Sequence, residues 1–184
     1  MKNTKIVVNT KSKSYPIYFG DGNLNTTGTL IKKNLPNVKK ICIISDKNLP
    51  LASLKELSKS LKKYNPKIYR LSVSEKIKNF KIAHKLIENI LNDNLSRSDC
   101  IISFGGGILG DLSAFISSLT KRGIKFVNKI LFFLFTIFSP FFKSQKKNFL
   151  SKINECFSIS PYPQIISLRG KLLSIDMSIN TNSG

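Results

Sequence analysis

Up to about Asn128 the chain alternates short, strongly apolar runs with longer stretches in which apolar residues recur every three or four positions. The first pattern is typical of buried β-strands and the second of amphipathic helices. Two short strands, residues 5–9 and 15–19, open the chain and are followed by a helix that ends before Pro36. This alternation predicts an α/β fold, because strands joined by helices form a parallel sheet through right-handed crossovers.

Three further strands are predicted at residues 40–46, 67–73 and 99–104. The first and the last of these are nearly continuous apolar runs, the pattern of a buried parallel strand. Helices are predicted after each of the three strands from apolar residues at helical spacing. These residues are Leu51, Leu54, Leu57 and Leu61; Ala83, Leu86, Ile87, Ile90 and Leu91; and Leu112, Phe115, Ile116 and Leu119. The expected architecture is a Rossmann-like parallel sheet with helices on both faces.

The composition changes after Asn128. Most of the chain's 13 Phe lie beyond it, whereas most of its 10 Gly precede it. Residues 130–142 are almost entirely apolar, but a helix of that length spans only about 20 Å, less than the roughly 30 Å of a bilayer core. We therefore predict an α/β domain over residues 1–128 and leave residues 129–184 unassigned, as a Phe- and Lys-rich tail without periodicity.

The net charge of +20, from 30 Lys and Arg against 10 Asp and Glu, suggests two classes of partner, nucleic acid and anionic membranes. Only four of the basic residues are Arg, however, and Lys55, Lys59 and Lys62 lie on the polar side of a predicted helix. Nucleic-acid readers depend on Arg for bidentate contacts. We favour a solvated surface, with neither nucleic acid nor membrane as partner; the alternative is a basic, non-catalytic binding module.

Cysteine usage indicates a reducing, cytoplasmic location, because Cys42, Cys100 and Cys156 are odd in number and widely spaced. Residues 1–13 are basic and polar, without the apolar core of a secretory signal. The single histidine, His84, lies next to the apolar stripe of its helix and is expected to be half-buried or on the surface, and no His-rich metal site can be built from the chain.

The most informative motif is a predicted strand that runs into Gly105, Gly106 and Gly107 and then directly into a helix. Without Cβ atoms the backbone can come close to a ligand. The first N–H groups of the helix lack intrahelical partners and lie at the positive end of its dipole, which suits a phosphate or pyrophosphate. Asp46 ends its strand at the same edge, where it can accept hydrogen bonds from ribose hydroxyls. A turn needed only for close helix–strand packing is the other interpretation.

Three charged residues can reach the same edge. Asp111 is either an acid stabilised by the helix dipole or a carboxylate that points into the cleft beside the glycines. Glu75 and Lys78, three residues apart, either face that cleft or form a surface pair. The residues alone leave both alternatives open.

Together these motifs resemble the 3-dehydroquinate synthase family over roughly residues 5–128. The resemblance rests on the glycine run with its Gly-Asp pair, on a later Arg-Gly pair, and on Ser-Glu with a following Lys where the family has Gly-Glu-x-x-Lys. The matching residues are Tyr15, Pro16, Ile17, Tyr18, Ser45, Asp46, Ser74, Glu75, Lys78, residues 105–112, Phe115, Arg122, Gly123, Phe126 and Val127. Iron-dependent alcohol and glycerol dehydrogenases share the fold and a glycine triplet but are less similar.

The resemblance implies the NAD-binding domain of a shikimate-pathway lyase that converts the keto sugar acid phosphate DAHP into 3-dehydroquinate and phosphate. The family uses NAD catalytically and a divalent metal, zinc or cobalt, to polarise the substrate. Carried over by motif, the NAD contacts are Asp46, Glu75, Lys78, Gly106, Gly107, Ile108, Leu109, Gly110 and Asp111. The resemblance is compatible with a homodimer, and a sugar phosphate cyclase with another substrate is a second alternative.

The sequence departs from the family after Val127. The expected Pro-Thr-Thr segment, the Gly-Gly-Lys-Thr-Gly segment and the helical domain with a Glu and two His as metal ligands are missing; Lys129, Ile130 and Leu131 stand at the first of these. We therefore assign no catalytic or metal-binding residue. The hypothesis is a truncated or frameshifted synthase, inactive on its own, whose N-terminal domain is intact; a variant second domain is the other interpretation.

Overall fold

The computed structural model describes residues 4–9, 14–20, 23–131, 167–170 and 172–178. Two strands are followed by alternating helices and strands, and two further strands lie near the end of the chain. The elements are β1 Thr4–Asn9, β2 Ser14–Gly20, α1 Asn23–Asn34, β3 Ile41–Asp46, α2 Leu51–Ser60, β4 Lys67–Leu71, α3 Phe80–Asn92, β5 Cys100–Gly105, α4 Gly107–Leu119, β6 Lys125–Leu131, β7 Ser167–Gly170 and β8 Leu172–Ser178. Among these residues no α-helix follows α4.

The centre of the sheet is parallel, in the order β4-β3-β5-β6. The hairpin β1–β2 and the strands β7 and β8 extend it beyond β6, where β8 pairs antiparallel to β6. β4 ends at Leu71, two residues before the end predicted for this strand. Among the described strands β4 pairs with β3 alone, and β3 ends at Asp46, the residue paired with Leu71.

Alternate residues of the central strands enter two separate hydrophobic cores. In β3, Ile41 and Ile43 face a core shared with α1 and α2, whereas Cys42 and Ile44 face a core shared with α3 and α4. Each fully buried aliphatic side chain of this kind stabilises the fold by about 1.5–3 kcal/mol. The predicted Rossmann-like sheet with helices on both faces is confirmed.

Cys42 on β3 and Cys100 on β5 are fully buried free thiols. Burial, with a contribution from Asp93, raises the pKa of Cys42 to about 12. Burial likewise raises the pKa of Cys100. Both thiols therefore remain protonated and act as small apolar groups.

β6 continues three residues past Asn128, where the predicted domain ends. Lys129 is fully buried, and its Nζ donates hydrogen bonds to the Asn23 carbonyl (3.0 Å) and to Thr27 Oγ1 (2.6 Å) of α1. These bonds tie the end of β6 to the first turn of α1. Residues 132–166, which form most of the unassigned tail, lie outside the described residues.

Candidate functional site

The strand order creates a crevice at the carboxyl edge of the sheet. The helix after β3, α2, packs on one face, and the helix after β5, α4, packs on the opposite face. Adjacent parallel strands whose helices leave to opposite sides form a topological switch point, which is where open α/β sheets bind ligands. β3 and β5 are adjacent and meet this condition.

Asp46 and Gly105, the last residues of these two strands, lie side by side at the switch point. A Cβ on Gly105 would stand 3.4 Å from the Asp46 Cβ and only 2.8 Å from Cδ2 of Leu109. Glycine at position 105 is therefore required by packing. Asp46 and the glycine turn therefore lie at the same edge of the sheet.

Gly106 and Gly107 differ from Gly105 because no atom of the residues that the structure describes lies within 4 Å of a Cβ built on either of them. Neither has a positive φ, and Gly106 is extended, at φ −90° and ψ −175°. Neither the backbone conformation nor contacts within the protein demand glycine here. The packing interpretation thus explains Gly105 but leaves Gly106 and Gly107 bordering open space that a ligand can enter.

α4 begins at this open space without a side-chain cap. Its N-cap is Gly106, and the first hydrogen bond of the helix joins the Gly110 N–H to the Gly106 carbonyl at 3.0 Å. The N–H groups of Gly107, Ile108 and Leu109 precede that bond and have no acceptor within the helix. Leu109 is fully buried, backbone included, whereas Gly107 is exposed and Ile108 partly so, and the N–H groups of these two residues are therefore the ones open to a ligand.

Gly110 lies on the sheet side of α4 rather than at the crevice. A Cβ there would stand 2.7 Å from Nδ2, 3.2 Å from Oδ1 and 3.3 Å from Cγ of Asn128 on β6. Gly110 is thus needed for close helix–strand packing.

The three charged residues predicted near the glycines form one ion-paired group. Lys78 Nζ lies 3.1 Å from Asp111 Oδ2 and 3.7 Å from Glu75 Oε2. The hydrogen bond to Asp111 raises the pKa of Lys78; burial opposes this, and Glu75 reinforces it. The Asp111 side chain is 60% exposed and that of Lys78 39%, so solvent screens the pair.

Beside this group lies an apolar cleft of about 260 Å³ between the start of α3 and α4. Its lining residues are Lys78, Asn79, Phe80, Ala83, Asp111, Leu112 and Phe115. Phe80, 79% exposed, packs edge-to-face against Phe115 with ring centroids 5.7 Å apart.

Sequence reasoning missed two residues at this edge. Asn79 caps α3, its Oδ1 accepting from the Ile82 N–H at 3.0 Å, and an Asn before an amphipathic run was the available signal. Arg70 donates from Nη2 to the Lys47 carbonyl at 2.8 Å, just beyond Asp46. No local pattern marks that second contact.

His84 lies on the surface, as expected, 3.5 Å from Glu88 Oε2. Among the residues described by the structure, no group of three or more His, Cys, Asp or Glu side chains could hold a metal ion. No helix within the same residues is long and apolar enough to cross a membrane.

Comparison with known proteins shows sequence similarity to 3-dehydroquinate synthases. Residues 68–134 match the family model for the N-terminal part of 3-dehydroquinate synthase. The 3-dehydroquinate synthase of Pelagibacter ubique is 40% identical over 124 residues, covering 67% of this chain and 34% of that protein. That of Brucella anthropi is 32% identical over 126 residues, covering 67% and 33%. The chain spans about a third of the length of these curated relatives.

The solved structures with the same fold include two of 2-deoxy-scyllo-inosose synthase. One superimposes with a TM-score of 0.61 at 19% identity, covering 69% of this chain and 36% of that one. The other, a complex with carbaglucose-6-phosphate, NAD+ and Co2+, gives a TM-score of 0.58 at 19% identity and covers 68% and 34%. The fold, the glycine motif and the sequence matches agree, and the chain belongs through its N-terminal domain to the 3-dehydroquinate synthase family.

Proposed function

We propose that this chain is the NAD-binding part of a 3-dehydroquinate synthase, a carbon–oxygen lyase that converts DAHP into 3-dehydroquinate and phosphate. The observation that carries the proposal is the switch-point crevice, in which the Asp46 carboxylate adjoins a glycine turn. There Gly106 and Gly107 border open space in front of the α4 N-terminus. The 40% identity to a synthase of this specificity favours DAHP over the substrates of other sugar phosphate cyclases.

The residues present fit a dinucleotide. The N–H groups of Gly107 and Ile108, which are open to solvent, can donate to the diphosphate, whose negative charge is favoured at a helix N-terminus. Asp46 Oδ1 accepts from the Asn48 N–H at 2.8 Å, which orients the carboxylate. A carboxylate has about four lone-pair sites, so Asp46 keeps acceptor capacity for ribose hydroxyls.

The ion-paired group supplies oriented charge next to this site. Lys78 is protonated at neutral pH like any ordinary lysine, and Asp111 raises its pKa further. Asp111 in turn is held by Lys78, so its carboxylate keeps a defined position for the carboxamide or hydroxyl groups of bound molecules. We assign Glu75, 3.7 Å from Lys78, to orienting the lysine.

When bound, NAD would supply transient oxidation of a substrate hydroxyl, which acidifies the neighbouring C–H. The chain's own part is to bind and orient the cofactor. The described residues offer no set of side chains for the zinc or cobalt that the resemblance implies. The chain also has one histidine where the family uses two as metal ligands. We therefore propose that this polypeptide alone turns over no DAHP.

Calorimetric titration of the full chain with NAD+ tests the binding proposal. We expect saturable binding that changes little with salt and weakens when Asp46 is replaced. The rival, a basic module for nucleic acid or anionic membranes, predicts that binding of a polyanion dominates and falls steeply with salt. NAD+ heats no larger than dilution would overturn the proposal.

A phosphate-release assay tests the proposed inactivity. The full chain with DAHP, NAD+ and Zn2+ should release no phosphate above a protein-free control. Turnover would show that the chain completes the catalytic site without the family's ligand set.

A further inference from the structure

One face of α4 consists of small buried residues and rests closely on the sheet. Gly110, Ser113, Ala114 and Ser117 follow the i, i+3, i+4, i+7 spacing of a single helix face, and all four are buried. Small side chains on a helix face allow its backbone to approach the strands beneath it. The position of α4 above β5 and β6 therefore depends on this stripe.

The tightest point of the stripe is its first residue. The Asn128 amide lies where a Gly110 side chain would be, with Nδ2 2.7 Å from the Cβ position. Asn128 is only 2% exposed, and its backbone is paired with Ser103 on one side and Met177 on the other. Neither the strand nor the enclosed amide can move aside readily, so the Asn128 amide limits how closely α4 can approach β6.

This contact is connected directly to the start of α4. The Gly110 N–H donates to the Gly106 carbonyl at 3.0 Å, the first hydrogen bond of the helix. A displacement of Gly110 is thereby passed to Gly106 and to the N–H groups of Gly107, Ile108 and Leu109. The contact between the Asn128 amide and Gly110 thus affects the direction of the N–H groups at the start of α4.

We propose that Asn128 is a positioning residue for the dinucleotide: its amide, seated against Gly110, fixes the first turn of α4 and so places the N–H groups that receive the diphosphate. This inference rests on the proposed function. It gives Gly110 a role in docking the helix rather than in touching the cofactor, and it gives a function to a residue of β6 outside the glycine motif.

Binding of NAD+ to single and double variants of the full chain tests the inference. Gly110→Ala should weaken binding about tenfold, because overpacking against Asn128 displaces the helix. Asn128→Ala, which removes the colliding atoms, should restore the Gly110→Ala variant to within about threefold of Asn128→Ala alone, since the two sites are coupled.

Two further variants separate positioning from general effects. Gly107→Ala places a methyl group in open space. It should weaken NAD+ binding through a clash with the ligand, and the Asn128→Ala change should not rescue it. Ser113→Ala, at the next position of the stripe, removes a buried hydroxyl without a hydrogen-bond partner and should leave NAD+ affinity unchanged.

The outcomes are distinguishable. If the parent chain binds no NAD+, the proposed function fails and the positioning role with it, while the same double-mutant cycle measured on Tm still tests the Gly110–Asn128 contact. If the parent binds but Gly110→Ala binds equally well, or Asn128→Ala fails to rescue it, only the positioning role is overturned. Should Gly110→Ala not fold, folding and NAD+ binding by the double variant support the proposal, and their absence contradicts it.

Discussion

The two edges of the parallel sheet hold carboxylates in opposite situations. At the amino edge Asp99, 2% exposed, accepts four hydrogen bonds, from the N–H groups of Lys39, Lys40 and Ser96 and from the Ser96 hydroxyl. At the carboxyl edge Asp46 adjoins a turn whose Gly106 and Gly107 border open space. At the amino edge the protein satisfies the polar groups itself, whereas at the carboxyl edge α4 begins without a side-chain cap.

The largest expected effect is at the amino edge. Asp99→Ala removes the acceptor of four part-buried hydrogen bonds and should lower the free energy of unfolding by about 2–4 kcal/mol. Urea denaturation measures this. Glu88→Gln, an exposed carboxylate change on α3, is the control and should lie within about 0.5 kcal/mol of the parent. If Asp99→Ala and Glu88→Gln lowered the free energy of unfolding equally, the hydrogen bonds of Asp99 would not stabilise the fold more than an exposed carboxylate does.

The pH dependence of stability sharpens the same point. Burial alone would raise the pKa of Asp99, but the hydrogen bonds outweigh it and hold the pKa below its ordinary value. A depressed pKa stabilises the fold above the unfolded-state pKa of about 3.9, and this contribution is lost as pH falls through the folded-state value. Tm should therefore fall less steeply below about pH 4 in Asp99→Asn than in the parent. Parallel curves would contradict this.

At the carboxyl edge the effect should appear in binding rather than stability. Asp46→Ala removes the proposed ribose acceptor and should weaken NAD+ binding about tenfold, the cost of one or two hydrogen bonds. Tm should change little, since the known bond of Asp46 Oδ1 is to a nearby exposed loop N–H. Calorimetry with NAD+ measures the first effect and thermal denaturation the second. A large drop in Tm with unchanged affinity would make Asp46 a structural residue like Asp99.

The smallest expected effect on stability is that of the exposed ion pair. Asp111→Asn removes the nearer of the two carboxylates beside Lys78, but a pair this exposed contributes at most about 1 kcal/mol. The change in unfolding free energy should therefore be small and should shrink further at high salt. A loss comparable to that of Asp99→Ala would show that the pair supports the fold.

Local patterns were sufficient for the parts of the molecule that depend on burial and chain direction. The apolar runs that end at Asp46 and Gly105 predicted two neighbouring parallel strands, and the carboxyl-edge rule predicted that their ends meet. Contacts between distant side chains left no such signal. Hydrophobic periodicity does not predict contacts between residues that are far apart in sequence. Three such contacts are that of Asn128 with Gly110, the bonds of Lys129 to α1 and the hydrogen bonds of Asp99.

The central claim is that the N–H groups at the start of α4 receive the diphosphate of a dinucleotide. Amide chemical shifts of the 15N-labelled chain, followed during addition of NAD+, test it directly. The account predicts saturable shifts of the amides of Gly106, Gly107, Ile108 and Leu109, with those of Lys39, Lys40 and Ser96 around Asp99 unmoved. Binding that leaves the α4 amides unshifted, or no binding at all, would contradict it.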